Sequence, residues 1–194
     1  MTDTPANART VLDLARSRPP TLDRNRLICV DGPAGSGKTT LAAELAELSG
    51  APVLHMDDMF EGWRGLPRVT SQLESLLLPL AKGRSGSYQR WDWPGNAWAE
   101  TILVPPAPLL VLEGVGSGSA HLAHLVTVLA WVEVPYDLRR DRGLERGGVG
   151  VAENWQQWAV DEQALFDRER TRERADLVLD GRVGSLHASP RTGR

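Results

Sequence analysis

Five short apolar runs punctuate the chain: "RLICV" from residue 26, "APVL" from 51, "PLLVL" from 108, "VTVLAWVEV" from 126 and "ADLVL" from 175. A short apolar run bounded by turn residues suits a strand buried on both faces of a parallel sheet. Between these runs the spacing becomes helical. "KTTLAAELAELSG", from Lys38, sets Leu41, Leu45 and Leu48 on one stripe and closes on Gly50, a C-terminal cap. "TVLDLARSR" carries Val11, Leu12, Leu14 and Ala15 ahead of Pro19 and Pro20, which predicts a short, peripheral amphipathic helix. Strands alternating with helices predict an α/β fold with helices on both faces of a mostly parallel sheet, its ligands bound outside the carboxyl ends of the strands.

Residues 59–108 break this rhythm. They hold Trp63, Trp91, Trp93 and Trp98, a helix-like "SQLESLLLPLAK" and two turn-rich patches. So long a stretch between two strands is usually functional. The polar tail 182–194 is expected to be frayed.

Composition narrows the class of protein. The 194 residues suit a single domain, and 22 Lys and Arg against 25 Asp and Glu give a net charge of -3. That balance supplies no long-range field for nucleic acid or an anionic membrane, so neither is expected as a partner. The single cysteine, Cys29, sits in an apolar run and reads as a small core side chain. The N-terminus lacks the apolar centre of a signal peptide, and no run approaches the length needed to span a bilayer, so the chain reads as cytoplasmic.

The strongest local pattern is "DGPAGSGKTT" at 31–40, directly behind the first apolar run. Gly32, Pro33, Ala34, Gly35, Ser36, Gly37, Lys38 and Thr39 fit G-x-x-x-x-G-K-[ST] at every fixed position. Glycines let backbone N–H groups close around phosphate oxygens, and the helix that follows offers its positive end to them. In that geometry Lys38 reaches the β- and γ-phosphates, the Thr39 hydroxyl ligates Mg²⁺ and Thr40 adds a phosphate contact. A plain glycine turn capping a helix leaves the lysine unexplained. No N-K-x-D tetrad for guanine occurs, so ATP is the expected nucleotide.

Acids close the neighbouring strand candidates. Asp57 is placed to take a proton from an acceptor hydroxyl, while Asp58 orients it, binds substrate or caps the next segment. Solvated loop acids are the plainer alternative. Glu113 ends the most apolar run, where an acid needs a cation, and is assigned to Mg²⁺ with Thr39. Asp31 abuts the loop and can serve its backbone. Downstream, Arg139, Arg142 and Arg146 recur at spacings of three and four, a cationic helix face ending in flexible "GGVG". It either closes over a nucleotide or pairs with Asp137, Asp141 and Glu145 as a solvated face. His121 and His124 lack a third ligand and make a poor metal site. In the tryptophan-rich segment, Trp91 with Asp92 and Arg90 leads as a substrate contact, with Tyr88 a further candidate.

Taken together, the motifs resemble the uridine kinase-like branch of the P-loop kinases. "DGPAGSGKTTLA" is similar to that family's nucleotide loop, "MDDMF" to its strand-end acid motif, "WDW" to its Tyr-Asp-Phe stretch and "LEG" to its metal-side acid. "LRRDRGLERG" resembles its arginine-bearing lid, and "RTRERADLVLDG" the approach to its last strand. The resemblance implies a three-layer P-loop kinase fold over residues 1–194, with the nucleotide loop and strand-end acid in 22–58, a substrate-binding insert in 59–108 and a lid in 135–150. It implies that Asp57 is the base, that Trp91 and Asp92 lie near the acceptor, and that Arg139, Arg142 and Arg146 belong to the lid. Lys38, Asp57 and Arg142 are then the expected catalytic groups, with Arg139 and Arg146 on the nucleotide. The family's Asp-His-Pro stretch is absent, "EGWRGLPRVTSQLE" standing in its place. The expected activity is transfer of the γ-phosphate of ATP, with Mg²⁺, to a hydroxyl of a small molecule. A nucleoside leads, and a cofactor precursor or an aromatic metabolite or drug comes second. A nucleotide-dependent switch that binds a partner protein is the alternative of another class, and a homo-oligomer is compatible with either.

Overall fold

The structure, a computed structural model, describes residues 5–182 and 189–190. The rest of the tail expected to fray lies outside the described residues. In chain order the main elements are α1 (Pro5–Ser17), β1 (Arg26–Asp31), α2 (Lys38–Ser49), β2 (Val53–His55), α3 (Thr70–Leu80), β3 (Gly86–Asp92), β4 (Ala97–Val104), β5 (Leu109–Glu113) and β6 (Val128–Glu133). They are followed by α4 (Tyr136–Arg146), α5 (Val151–Glu169), α6 (Thr171–Arg174), β7 (Leu177–Asp180) and β8 (Ser189–Pro190). The five apolar runs form a parallel sheet in the order β2-β5-β1-β6-β7, with β8 added antiparallel at the β7 edge. Register sets Glu113 beside both Val30 and His55, bringing the carboxyl ends of β1, β2 and β5 together.

Strand alternation divides the core into two layers. Ile28, Val30, Val111, Val128 and Ala130 face one way, onto α1 and α2. Leu27, Cys29, Leu110, Leu112, Leu129 and Trp131 face the other, onto α3, α5 and the 3₁₀ turns after β2. Each fully buried Leu or Ile contributes about 1.5–3 kcal/mol of apolar burial, so both helical layers are needed to cover the sheet.

α1 is not peripheral, contrary to expectation. It starts at Pro5, earlier than its apolar residues suggest, and buries Ala8, Val11, Leu12 and Ala15. The two alanines complete an i, i+3, i+4, i+7 stripe of small size that brings the helix close to α2 and β6. On α2, Leu41 and Leu45 are buried, whereas Leu48, in the last turn, is exposed. Residues 59–108 supply two 3₁₀ turns, the helix expected over "SQLESLLLPLAK" as α3, and an antiparallel hairpin, β3 with β4, that the turn-rich reading does not predict. Among the described residues, no helix is long and apolar enough to cross a membrane.

Candidate active site

The glycine loop leaves β1 and wraps onto the first turn of α2. Gly32 has φ 140° and Gly35 φ 76°, and a Cβ on Gly35 would stand 2.2 Å from the Arg139 carbonyl oxygen. Only glycine permits both that backbone conformation and that approach. The loop is held from outside. Glu162 Oε2 accepts the Ala34 amide at 2.9 Å, while Glu162 Oε1 pairs with Arg139 Nη1 at 2.7 Å. Asp31, fully buried, accepts the amides of Gly32, Gly116 and Gly118 at 2.7, 3.0 and 2.8 Å, tying the loop to the segment after β5. Burial pushes its carboxyl up to about 6, against those three donors and the charge of Lys38.

At the α2 N-terminus no side chain caps the helix, so the orphan first-turn amides are available to an anion. Lys38 is buried in that turn and donates through Nζ to the Pro33 carbonyl at 2.8 Å. Ser36 Oγ is buried in the loop without a hydrogen-bond partner. Thr39 Oγ1 donates to Glu113 Oε1 at 3.3 Å, and His55 Nδ1 donates to the same oxygen at 2.6 Å. That hydrogen bond raises the basicity of His55. The hydroxyl and carboxylate oxygens are hard donors of the kind Mg²⁺ takes. Among the described residues, no group of three or more His, Cys, Asp or Glu is arranged to hold a metal alone. A cation at Thr39 and Glu113 would therefore complete its shell with phosphate oxygens and water, the usual habit of Mg²⁺.

One cavity of about 740 Å³ gathers Ala34, Gly35, Gly37, Lys38, Thr39, Thr40, Asp57, Asp58, Glu113, Arg142 and Arg146. Gly32, Pro33 and Ser36 form the loop behind this lining. Asp57 is exposed and lines the cavity, where the surrounding protein still desolvates its carboxyl. Burial raises its carboxyl above the ordinary range and the charge of Glu113 adds to that, while Lys38, Arg146 and His55 pull it back. Arg142 Nη1 donates to the Gly181 carbonyl at 2.9 Å, beside the loop.

Five expected contacts are placed elsewhere. Arg139 is buried behind the loop, paired with Glu162 and lying over the Tyr136 ring at 4.7 Å, and it does not line the cavity. Its backbone packs against Gly35, so the first arginine of the stripe supports the loop from behind. In the hairpin, Tyr88 is buried in the core and Arg90 pairs with Glu100 at 2.8 and 2.9 Å. Trp91 is buried edge-to-face on Trp98 at 5.0 Å, and Asp92 accepts the Gly95 amide in the connecting turn. The register shift between Gln89 and Trp91 resets which side chains face the core, and none of these four lines the cavity.

Trp93 lines the cavity instead, with Trp63, Phe60, Trp155 and Trp158. His55 and Glu162 also escaped the reading of the sequence. Glu162 left one trace, an acid on the stripe that buries Trp155, Trp158, Leu165 and Phe166. His121 is on the surface, 2.8 Å from Glu74, away from this site.

No protein-family model matches the chain. A tRNA dimethylallyltransferase of Desulfovibrio desulfuricans is 32% identical over 121 residues, 57% of this chain and 36% of that protein. The chain thus spans about a third of the length of that relative. Among solved structures, a candidate fructose transport system kinase from Silicibacter sp. superposes with a TM-score of 0.65 at 20% identity, over 92% of this chain and 99% of that one. A candidate uridine kinase from Bacillus stearothermophilus gives 0.59 at 18% identity, over 89% and 94%. With a glycine loop, a parallel sheet flanked by helices and these neighbours, the chain has the fold of the P-loop kinases.

Proposed function

We propose that the protein is an ATP- and Mg²⁺-dependent phosphotransferase that phosphorylates a hydroxyl of a small molecule. The observation that carries this reading is the convergence of Lys38, Thr39, Asp57 and Glu113 on one cavity. Loop amides and Lys38 hold the β- and γ-phosphates, while Thr39 and Glu113 hold the metal, directly or through water. Bound there, Mg²⁺ neutralises charge on the phosphates and fixes their orientation. Arg142 and Arg146 add positive charge from α4, the segment read as a lid.

Asp57 supplies the base. As the acceptor oxygen bonds to the γ-phosphorus, its proton passes to an Asp57 carboxylate oxygen. The bond from the γ-phosphorus to the β,γ-bridging oxygen breaks, and its electron pair leaves with ADP. Phosphoryl transfer asks for positioning and charge neutralisation more than covalent help, and the rigid loop provides the first of these. A nucleoside is the acceptor to which the resemblance points, although the hairpin residues expected to hold it are turned away from the cavity.

The test is a screen of hydroxylated small molecules for ATP-dependent phosphorylation, read by product mass. A product that forms with the wild type and disappears with Lys38→Ala supports the reading. ATP bound tightly without transfer to any member of a broad panel would overturn it.

A further inference from the structure

The acceptor half of the cavity has a chemistry of its own. Trp63 meets Trp93 edge-to-face at 5.2 Å and Trp158 at 5.7 Å, and Trp158 meets Phe60 at 5.2 Å, making a continuous aromatic wall. Two of its indole N–H groups are already used: Trp63 Nε1 donates to the Val149 carbonyl at 3.2 Å, and Trp93 Nε1 to the Asp57 carbonyl at 2.9 Å. Those hydrogen bonds fix the rings and leave them to offer π surface, not donors. The lining also holds His55, Asp57 and Asp58, from the strand end and 3₁₀ turn just ahead of Phe60.

The cationic side chains of the cavity come from other elements. Lys38 is in the loop, Arg142 and Arg146 are on α4, and Arg182 follows β7. The field of Arg146 reaches Asp57; Asp58 feels His55 and Arg90, and Arg90 is itself paired with Glu100. Among the described residues, no Asn, Gln, Ser or Tyr side chain lines the cavity, and its hydroxyls are those of Thr39 and Thr40 at the loop. The amide and hydroxyl side chains that pair most readily with the edges of a nucleobase are therefore not among the lining away from the loop. Aromatic faces and carboxylates together select a positively charged group, and two carboxylates repel an anionic acceptor.

On the phosphotransferase reading above, we propose that the acceptor is a small alcohol bearing a positively charged nitrogen. Its ammonium group rests on the Trp63 and Trp93 wall beside Asp58, and its hydroxyl faces Asp57. Transfer then follows the proton and bond changes already given, and the product is the phosphate ester of an ammonium alcohol.

The experiment is calorimetric titration of the full chain, with Mg²⁺ and the non-hydrolysable analogue AMP-PNP present, by two matched pairs that differ only in charge. Choline is set against 3,3-dimethylbutan-1-ol, and (3-hydroxyphenyl)trimethylammonium against 3-tert-butylphenol; uridine is the reference. At least one cation should bind about tenfold more tightly than its neutral isostere. Asp58→Asn and Trp63→Leu should each erase most of that margin without weakening AMP-PNP, and one folded variant suffices. Equal binding within both pairs, no binding of either cation, or uridine tighter than both cations would overturn the proposal while leaving the kinase reading in place. Failure of AMP-PNP itself to bind would instead overturn the kinase reading and this inference with it.

Discussion

Glu162 reaches from the buried face of α5 to the amide of Ala34, 2.9 Å away, and so fixes the glycine loop from behind. The same carboxylate neutralises the buried Arg139 at 2.7 Å. Removing it leaves an unpaired cation and an unpaired amide in the interior. Glu162→Ala should lower stability by about 3–5 kcal/mol, the cost of breaking a buried pair from one side. Denaturant unfolding measures that loss, and the KM for ATP should rise as the loop loses its support.

Asp31 gives a prediction in pH. Its folded-state pKa, about 6, stands above the unfolded value of about 3.9, so the folded protein binds this proton more readily. The stability that protonation contributes is full below about pH 4 and is lost as pH rises through about 6. Asp31→Asn should flatten the unfolding free energy over that window. Asp31→Ala should cost about 3 kcal/mol or more at any pH, because three buried amides lose their acceptor.

Glu113 is proposed to serve the metal, with His55 holding the carboxylate that Thr39 also touches. Glu113→Gln should raise the Mg²⁺ concentration needed for half-maximal turnover by about tenfold or more. His55→Ala should shift it the same way by less. Turnover measured against added Mg²⁺ after chelation checks both.

Trp91 and Trp93 are two residues apart, but only Trp93 lines the cavity. Trp91→Phe should change kcat/KM by less than about twofold once folding is intact. Trp93→Ala should lower it by about tenfold or more, through lost acceptor contact and the lost hydrogen bond to Asp57.

The loop and the five parallel strands are legible in the chain because their signals are local. Gly32 to Thr39 carries its chemistry in its spacing, and the apolar runs ahead of Asp31 and Glu113 state where β1 and β5 stop, whereas β2 ends at His55 and leaves Asp57 and Asp58, read as its end, in the 3₁₀ turn beyond. Arg139 and Arg142 illustrate where local reading ends. Both fall on one helical stripe, yet the rotation of α4 against α5 buries the first under Glu162 and opens the second to the cavity. The hairpin's register, which shifts by one residue between Gln89 and Trp91, leaves no mark in composition. α1 packs more closely than its apolar pattern suggests because Ala8 and Ala15, which allow the approach, carry little apolar signal.

The central claim is that Asp57 takes the acceptor's proton within reach of the phosphate held by Lys38. Its most direct test is the single-turnover rate of γ-phosphoryl transfer from ATP, wild type against Asp57→Asn, with the first acceptor that the wild type phosphorylates. A fall of about a hundredfold or more with unchanged ATP affinity is the predicted result. Transfer by Asp57→Asn at the wild-type rate would contradict it.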